Sequence, residues 1–315
     1  PEFDLQFNAK DFSALNATKE DNDLFYGTAV FDVDAKLTGN LNLPRLNLKL
    51  KVGAATNITY IMTDSELEIE ERDGVVIFVN REDPDDILNK KRDESYTVTG
   101  FAVDATININ EKAVFNVIID ERTGDNLQVG GDGDLRFRVQ PNGRTTLTGR
   151  YTMQKGHFEI NLYNLVKRRF EISPGSSVSW SGDPFDAKLD LRAIYRIETS
   201  ASSLMTTGTV GMDSGMSNRY RQQVPFLVYL NVSGELTQPV LTFNLDIPED
   251  ERGTAGGQVY GRIQQLNQQE EELNKQFFSL LVLTRFFPPS GSDGSGGVKI
   301  ALARENLNQA LSDQL

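Results

Sequence analysis

Few side chains in this 315-residue chain are of types and spacings that do chemistry. The one histidine, His157 in QKGHFEI, has no serine or cysteine nucleophile motif beside it, so it reads as a strand or turn residue. Asp32 with Asp34, and Asp186 with Asp190, lie two or four apart and share a strand face, the arrangement of a glycosidase acid pair. Lys36 and Lys188 fall on the same faces, and the mixture reads better as a solvated exterior. REDPDD (81–86) clusters carboxylates without calcium-loop spacing and reads as a solvated loop. GGDGD (130–134) resembles a single turn of a calcium-binding repeat, but such repeats act in stacks, so a hairpin turn is expected. SGSDGSGG (290–297) lacks the lysine of a phosphate loop and reads as a flexible linker. There is no cysteine, which excludes disulfides and thiolate metal sites. No enzyme activity, cofactor or metal is expected. The net charge of −13 argues against nucleic acid.

The elements behind these residues are strands with two unlike faces. Phe185, Ala187, Leu189, Leu191, Ala193, Tyr195 and Ile197 alternate with Asp186, Lys188, Asp190, Arg192, Ile194, Arg196 and Glu198, and only Ile194 breaks the ionic face. The same period runs through Ala29–Leu37, Leu46–Val52, Phe101–Ile109, Phe115–Ile119, Leu135–Val139, Phe158–Leu162 and Leu241–Ile247. One polar face per strand fits a sheet that is wet on one side. Turn signals stand at 72–74, 122–125, 130–134, 141–143 and 173–176. GNLNLPRLNLKL (39–50) and GELTQPVLTFNL (234–245) echo each other, each a bend followed by a strand, with Pro44 and Pro239 suited to a strand start or an edge. Residues 81–95 read as a surface loop and 201–223 as a long mobile insertion.

After residue 250 the period becomes helical through Ile263, Leu266, Leu273, Phe277, Leu280 and Phe287. This predicts a helix that grows apolar over FFSLLVLTRFF (277–287) and stops at Pro288 and Pro289. A second helical pattern follows the linker. No run of about 18 apolar residues exists, so no membrane-spanning helix is expected. The chain begins and ends in mid-pattern and reads as a piece of a longer polypeptide.

From Gly130 onward the order of motifs becomes specific: GGDGDLRF, PNGRTTLTGRYTMQKGHFEINLYNL, RRFEISPGSSVSWSGDPFDAKLDLRAIY, then VSGELTQPVLTFNLDIP and a Gln/Glu-rich helix. This series resembles the C-terminal region of the TamB family, most closely over residues 98–290. The resemblance implies a mainly β fold: an elongated amphipathic sheet folded lengthwise into an open, solenoid-like groove (a β-taco) with a C-terminal α-helix. The expected division is upstream sheet repeats at 1–97, the groove domain at 98–250 and a helical segment at 251–315. It further implies an inner-membrane anchor in an absent N-terminal part, a periplasmic location near the outer membrane, phospholipid as cargo and a TamA-like Omp85-type barrel as partner.

Under that reading the groove is lined by Phe101, Val103, Ile107, Ile109, Phe115, Val117, Phe137, Phe158, Ile160, Phe185, Leu189, Leu191, Tyr195, Ile197, Leu241, Phe243 and Leu245. The alternative is that the same residues close a dry sandwich core. The terminal helix also has two readings. Phe277, Phe278, Leu280, Leu281, Phe286 and Phe287 either cap the sheet, or plug the groove and meet the barrel. Three functions follow: a hydrophobic conduit for phospholipid, a scaffold for outer-membrane protein insertion or secretion, and a structural or carbohydrate-binding β-solenoid. The last would expose aromatic platforms, and Trp180 is the only tryptophan.

Overall fold

Period-two alternation gives strands, and the computed structural model, which describes residues 2–62, 100–162, 166–205 and 214–288, contains thirteen of them in one mixed sheet. They are β1 Glu2–Ala17, β2 Phe25–Asn40, β3 Leu43–Val52, β4 Asn57–Ile61, β5 Ala102–Ile109, β6 Val114–Asp120 and β7 Asp125–Val139. Then follow β8 Thr145–Leu162, β9 Val166–Ile172, β10 Ser177–Gly182, β11 Ala187–Ser200, β12 Gln223–Glu235 and β13 Gln238–Asp246. Three α-helices are described: α1 Ser214–Tyr220, α2 Gln258–Leu266 and α3 Glu270–Leu283. The 72–74 turn, the 81–95 loop, the 290–297 linker and the helical pattern beyond it lie outside the described residues.

The chain forms two compact units. The first comprises Pro1–Asp120, Asp132–Tyr151 and Ser179–Ala187; the second comprises Glu121–Gly131, Thr152–Val178 and Lys188–Leu315. In the first, β3 and β4 run in succession along one edge of β2, which pairs Phe31–Asn40 with β3 and Phe25–Thr28 with β4. Strands β5 and β6 repeat the arrangement in parallel against β3 and β4. Each pair is therefore one long strand interrupted midway by a four-residue turn, at 53–56 and 110–113.

The interruption makes a crease, and a hydroxyl pins it. At the crease Thr56 stands in as partner for the Val30 N–H, while the Val30 carbonyl also accepts from the Gly53 N–H at 2.7 Å. Thr56 Oγ1 accepts from the Val30 N–H and donates to the Val30 carbonyl, both at 3.1 Å. The second unit has the same device. In the turn 173–176, Ser176 Oγ accepts from the Arg192 N–H at 3.1 Å and donates to the Arg192 carbonyl at 3.3 Å. Burial concentrates at these creases, on Ala29, Val52, Thr56, Ile109 and Ala113 in the first unit and Ile172, Ser176, Ser177 and Ala193 in the second. Thr56→Val keeps the shape of the side chain but strands the Val30 N–H, while the Val30 carbonyl keeps its bond from the Gly53 N–H at 2.7 Å. The substitution is expected to destabilise the chain by about 1–3 kcal/mol in urea unfolding; no change would mean that the pin is dispensable.

Three sequence expectations are corrected. GGDGD is not a hairpin turn but lies inside β7, with Gly130, Gly131 and Gly133 buried. A Cβ on Gly131 would stand 2.0 Å from the Thr152 carbonyl oxygen, so the glycines serve close strand approach rather than reversal. Phe185 is not on the long strand: β11 begins at Ala187, and Phe185 sits in the turn closed by the Asp186 N–H to the Asp183 carbonyl (3.1 Å). The described ends of 201–223 are packed: Ala201, Leu204 and Tyr220 are buried, and the Tyr220 hydroxyl bonds Gln258. Pro44 and Pro239 do stand at strand starts, and β13 is a terminal strand of the sheet. Ile194 is opposite Tyr229, whose ring also carries the Arg192 guanidinium at 5.9 Å; the outer face thus contains a small apolar cross-strand pair.

Candidate functional site

Strand register in the first unit lines apolar residues up across five strands. Leu5, Leu37, Leu46, Val103 and Val139 form one row, and Phe7, Ala35, Leu48, Ala105 and Phe137 the next. Ala9, Val33, Leu50, Ile107 and Leu135 form a third. A fourth, Phe12, Phe31, Val52, Ile109 and Gly133, borders the crease. Beyond the turns, Ile58 with Phe115 and Tyr60 with Val117 continue as apolar pairs. The opposite face is ionic. Asp104 takes two hydrogen bonds from Arg136, at 2.6 and 2.9 Å, and meets Arg138 at 3.3 Å. The Arg136 hydrogen bonds hold the Asp104 carboxyl below its ordinary range.

A closed sandwich of this size would bury these rows. Instead only Val52, Ile109 and Gly133 of the crease row, with Ala105 beside them, are buried, while Phe31, Val33, Leu37, Leu46, Leu48, Leu50, Val103, Ile107, Leu135, Phe137 and Val139 are half-buried. On β1, Leu5 is 60% exposed, Phe7 50% and Phe12 44%. The face is contiguous, apolar and largely uncovered by the described residues.

One polar anomaly borders it. The Tyr151 ring packs edge-on against Phe115 at 5.8 Å, but its hydroxyl is buried with no hydrogen-bond partner among the described residues. Burial, with the Asp132 charge adding to it, pushes its pKa up to about 12. The neutral phenol is thus favoured in the fold, and its contribution to stability falls as pH rises above the unfolded value of about 10 towards the folded one. Tyr151→Phe is expected to raise stability by about 1 kcal/mol and to abolish that alkaline loss; a loss of stability in urea unfolding would contradict this.

In the second unit the corresponding face is largely covered. Tyr195 aligns with Val228 and Leu245, Ala193 with Leu230 and Phe243, and Leu191 with Val232 and Leu241. Helix α3 lies on this face. Phe277 stacks on Phe243 at 3.8 Å and on Phe170 at 6.5 Å, and Phe286 meets Phe226 at 4.8 Å. Two amide clamps hold the helices. Asn267, between α2 and α3, bonds the Leu245 N–H and carbonyl at 2.9 and 2.8 Å, as a neighbouring strand would. The buried Gln276 bonds the Phe287 N–H and carbonyl at 2.9 and 3.0 Å and folds the segment after α3 back.

The expected groove residues therefore have different fates. Val103, Ile107, Ile109 and Phe137 share the first unit's face, with Phe115 and Val117 on its continuation. Leu189, Leu191, Tyr195, Ile197, Phe243 and Leu245 share the second unit's face, where Phe158 pairs with Phe170, and Ile160 with Arg168. Leu241 is on the same strand side but 50% exposed. Phe101 (58% exposed) precedes β5, and Phe185 (78% exposed) sits in a turn, so neither belongs to a row. Of the six expected docking residues, Phe277, Leu280, Leu281, Phe286 and Phe287 are buried within the unit, and only Phe278 is half-buried. Rows also run through strands outside the expected groove set: β1, where EFDLQFNA alternates, and β12, where Leu227 and Tyr229 on the outer face hide the alternation of Val224–Val232.

The ordered motifs and this sheet both find a counterpart. The family model of the TamB C-terminal domain matches residues 1–315. The chain belongs to the TamB family. A comparison with curated proteins finds no match. Membership places this TamB domain in a family of periplasm-spanning envelope proteins with a non-enzymatic role in outer-membrane assembly and lipid transport. In this TamB domain no described helix is long and apolar enough to cross a membrane.

Proposed function

We propose that this TamB domain is a hydrophobic conduit for phospholipid close to the outer membrane, working with a TamA-like barrel of the Omp85 type. The observation that carries the reading is the first unit's uncovered apolar face, four rows wide over five strands. Such a surface is unfavourable against water, and an acyl chain gains about 0.8 kcal/mol per methylene placed on it. A sixteen-carbon chain gains on the order of 10 kcal/mol, and equivalent rows let it slide without a fixed stop. The ionic face, with Asp104 and Arg136 paired on it, keeps the other side in water. The apolar face serves the acyl chains, and family membership supports an outer-membrane partner for it.

A photo-crosslinker at Leu50, on the apolar face, is expected to label co-purified phospholipid. At Lys49, on the ionic face, it is expected not to. Equal labelling at the two positions, or detergent-free protein that carries no lipid in native mass spectrometry, would overturn the conduit.

A further inference from the structure

We infer that Arg168 is a binding site for the phosphate of an acyl-chain amphiphile, and that the C-terminal end of α3 occupies this site while it is unloaded. This inference rests on the conduit reading and adds a headgroup site to it.

The second unit's apolar face is formed by alternate residues of β9, β11, β12 and β13. They are Val166, Arg168, Phe170 and Ile172 on β9, and Leu189 to Ile197 on β11. On β12 they run from Val224 to Val232, and on β13 from Leu241 to Leu245. Arg168 is the one charge in this set. It lies opposite Ile160, its guanidinium sits 5.7 Å from the centre of the Tyr195 ring, and no described carboxylate pairs with it. Arg168 is half-buried, and a cation that gives up part of its hydration beside apolar groups without an anion is left under-compensated. A purely structural position would more cheaply hold leucine.

What it meets instead is a weak substitute for an anion. Nε donates to the Leu281 carbonyl at 2.7 Å and Nη1 to the Lys167 carbonyl at 3.1 Å, while Nη2 has no partner among the described residues. Leu281 is in the last turn of α3, where free carbonyls carry the negative end of the helix dipole. A phosphate offers a full charge and two oxygens to the guanidinium fork, and so competes well against one carbonyl. The neighbouring face is prepared for the rest of such a molecule: beyond α3, Leu189, Leu191 and Val232 are half-buried and Leu241 is exposed. Seating the phosphate takes Nε from Leu281 and loosens the end of α3, so arrival of cargo and opening of the covered face are one event.

The test titrates the whole chain with three probes: soluble dihexanoyl phosphatidylglycerol, its neutral counterpart dihexanoylglycerol, and inorganic phosphate. Calorimetry reads affinity, and hydrogen exchange reads the last turn of α3. The phosphate lipid is expected to bind about tenfold more tightly than the neutral one, and to speed exchange in that turn. Arg168→Gln keeps a donor for the Leu281 carbonyl, so α3 stays seated, but it is expected to bind both lipids equally. Arg168→Lys is expected to retain part of the preference. An undiminished preference in Arg168→Gln overturns the assignment, as does equal binding of both lipids by the unaltered chain. Inorganic phosphate that loosens α3 as the lipid does reassigns the site to free phosphate and overturns the amphiphile. If neither lipid binds, the conduit reading itself fails and takes this site with it.

Discussion

Replacing Phe277 by alanine is expected to destabilise the second unit by about 3–5 kcal/mol and to lift α3 off the sheet. Phe277 is buried and is the centre of an aromatic cluster, in contact with Phe243 at 3.8 Å, Phe278 at 5.3 Å and Phe170 at 6.5 Å. Three of these four rings come from different elements, namely α3, β9 and β13. Removing the phenyl group leaves a cavity that these strands cannot close, because their spacing is set by backbone ladders. The helix ends add little: the N-cap, Gln269, makes no side-chain capping bond, and the C-cap, Thr284, is in the left-handed region, so what remains is the Asn267 and Gln276 clamps and the buried Leu273, Leu280 and Leu281. The measurement is urea unfolding with hydrogen exchange across residues 270–283. Faster exchange there, with β12 still protected, is the expected result. A loss under about 1 kcal/mol would show that the clamps at Asn267 and Gln276 hold the helix without the cluster.

Gly131→Ala is expected to cost about 3 kcal/mol, towards the upper end for overpacking. Its Cβ would fall 2.0 Å from the Thr152 oxygen and 2.8 Å from the Met153 Cα. Both obstacles are backbone, so no rotamer change relieves them. Moving β8 away breaks its ladder with β7 where Met153 also takes part in the crease, donating to the Ser176 carbonyl at 2.7 Å. Gly143→Ala is the control for a glycine that faces open space in a turn: its added methyl meets nothing, although its φ of +82° adds backbone strain. It is therefore expected to cost less than Gly131→Ala. Equal losses would mean that close strand approach does not govern this position.

Alternation by itself determined most of the strands, because a sheet with one wet face sorts its residues by a period of two. It placed β2, β3, β5 and β11 within a few residues, and put Asp104, Arg136 and Lys49 on the opposite face from Val103 and Leu50. The switch to a helical period after residue 250 was equally legible. Its division into α2 and α3 was not, since Asn267 is accommodated there by bonding Leu245 on β13, 22 residues earlier.

Glycine spacing was misleading at GGDGD for a related reason. The same residues suit a turn and a close approach, and only the position of the Thr152 carbonyl distinguishes the two. Whether an apolar residue is open or covered was also beyond the sequence. Leu50 and Leu245 both lie on alternating strands. Leu50 is half-buried on an uncovered face, while Leu245 is fully buried beneath the helical segment. Local pattern depends on neighbours two or four residues away, and it determined which face of each strand is apolar. Cover depends on which distant element lies across that face, so tertiary structure alone decided where this chain keeps its apolar surface open.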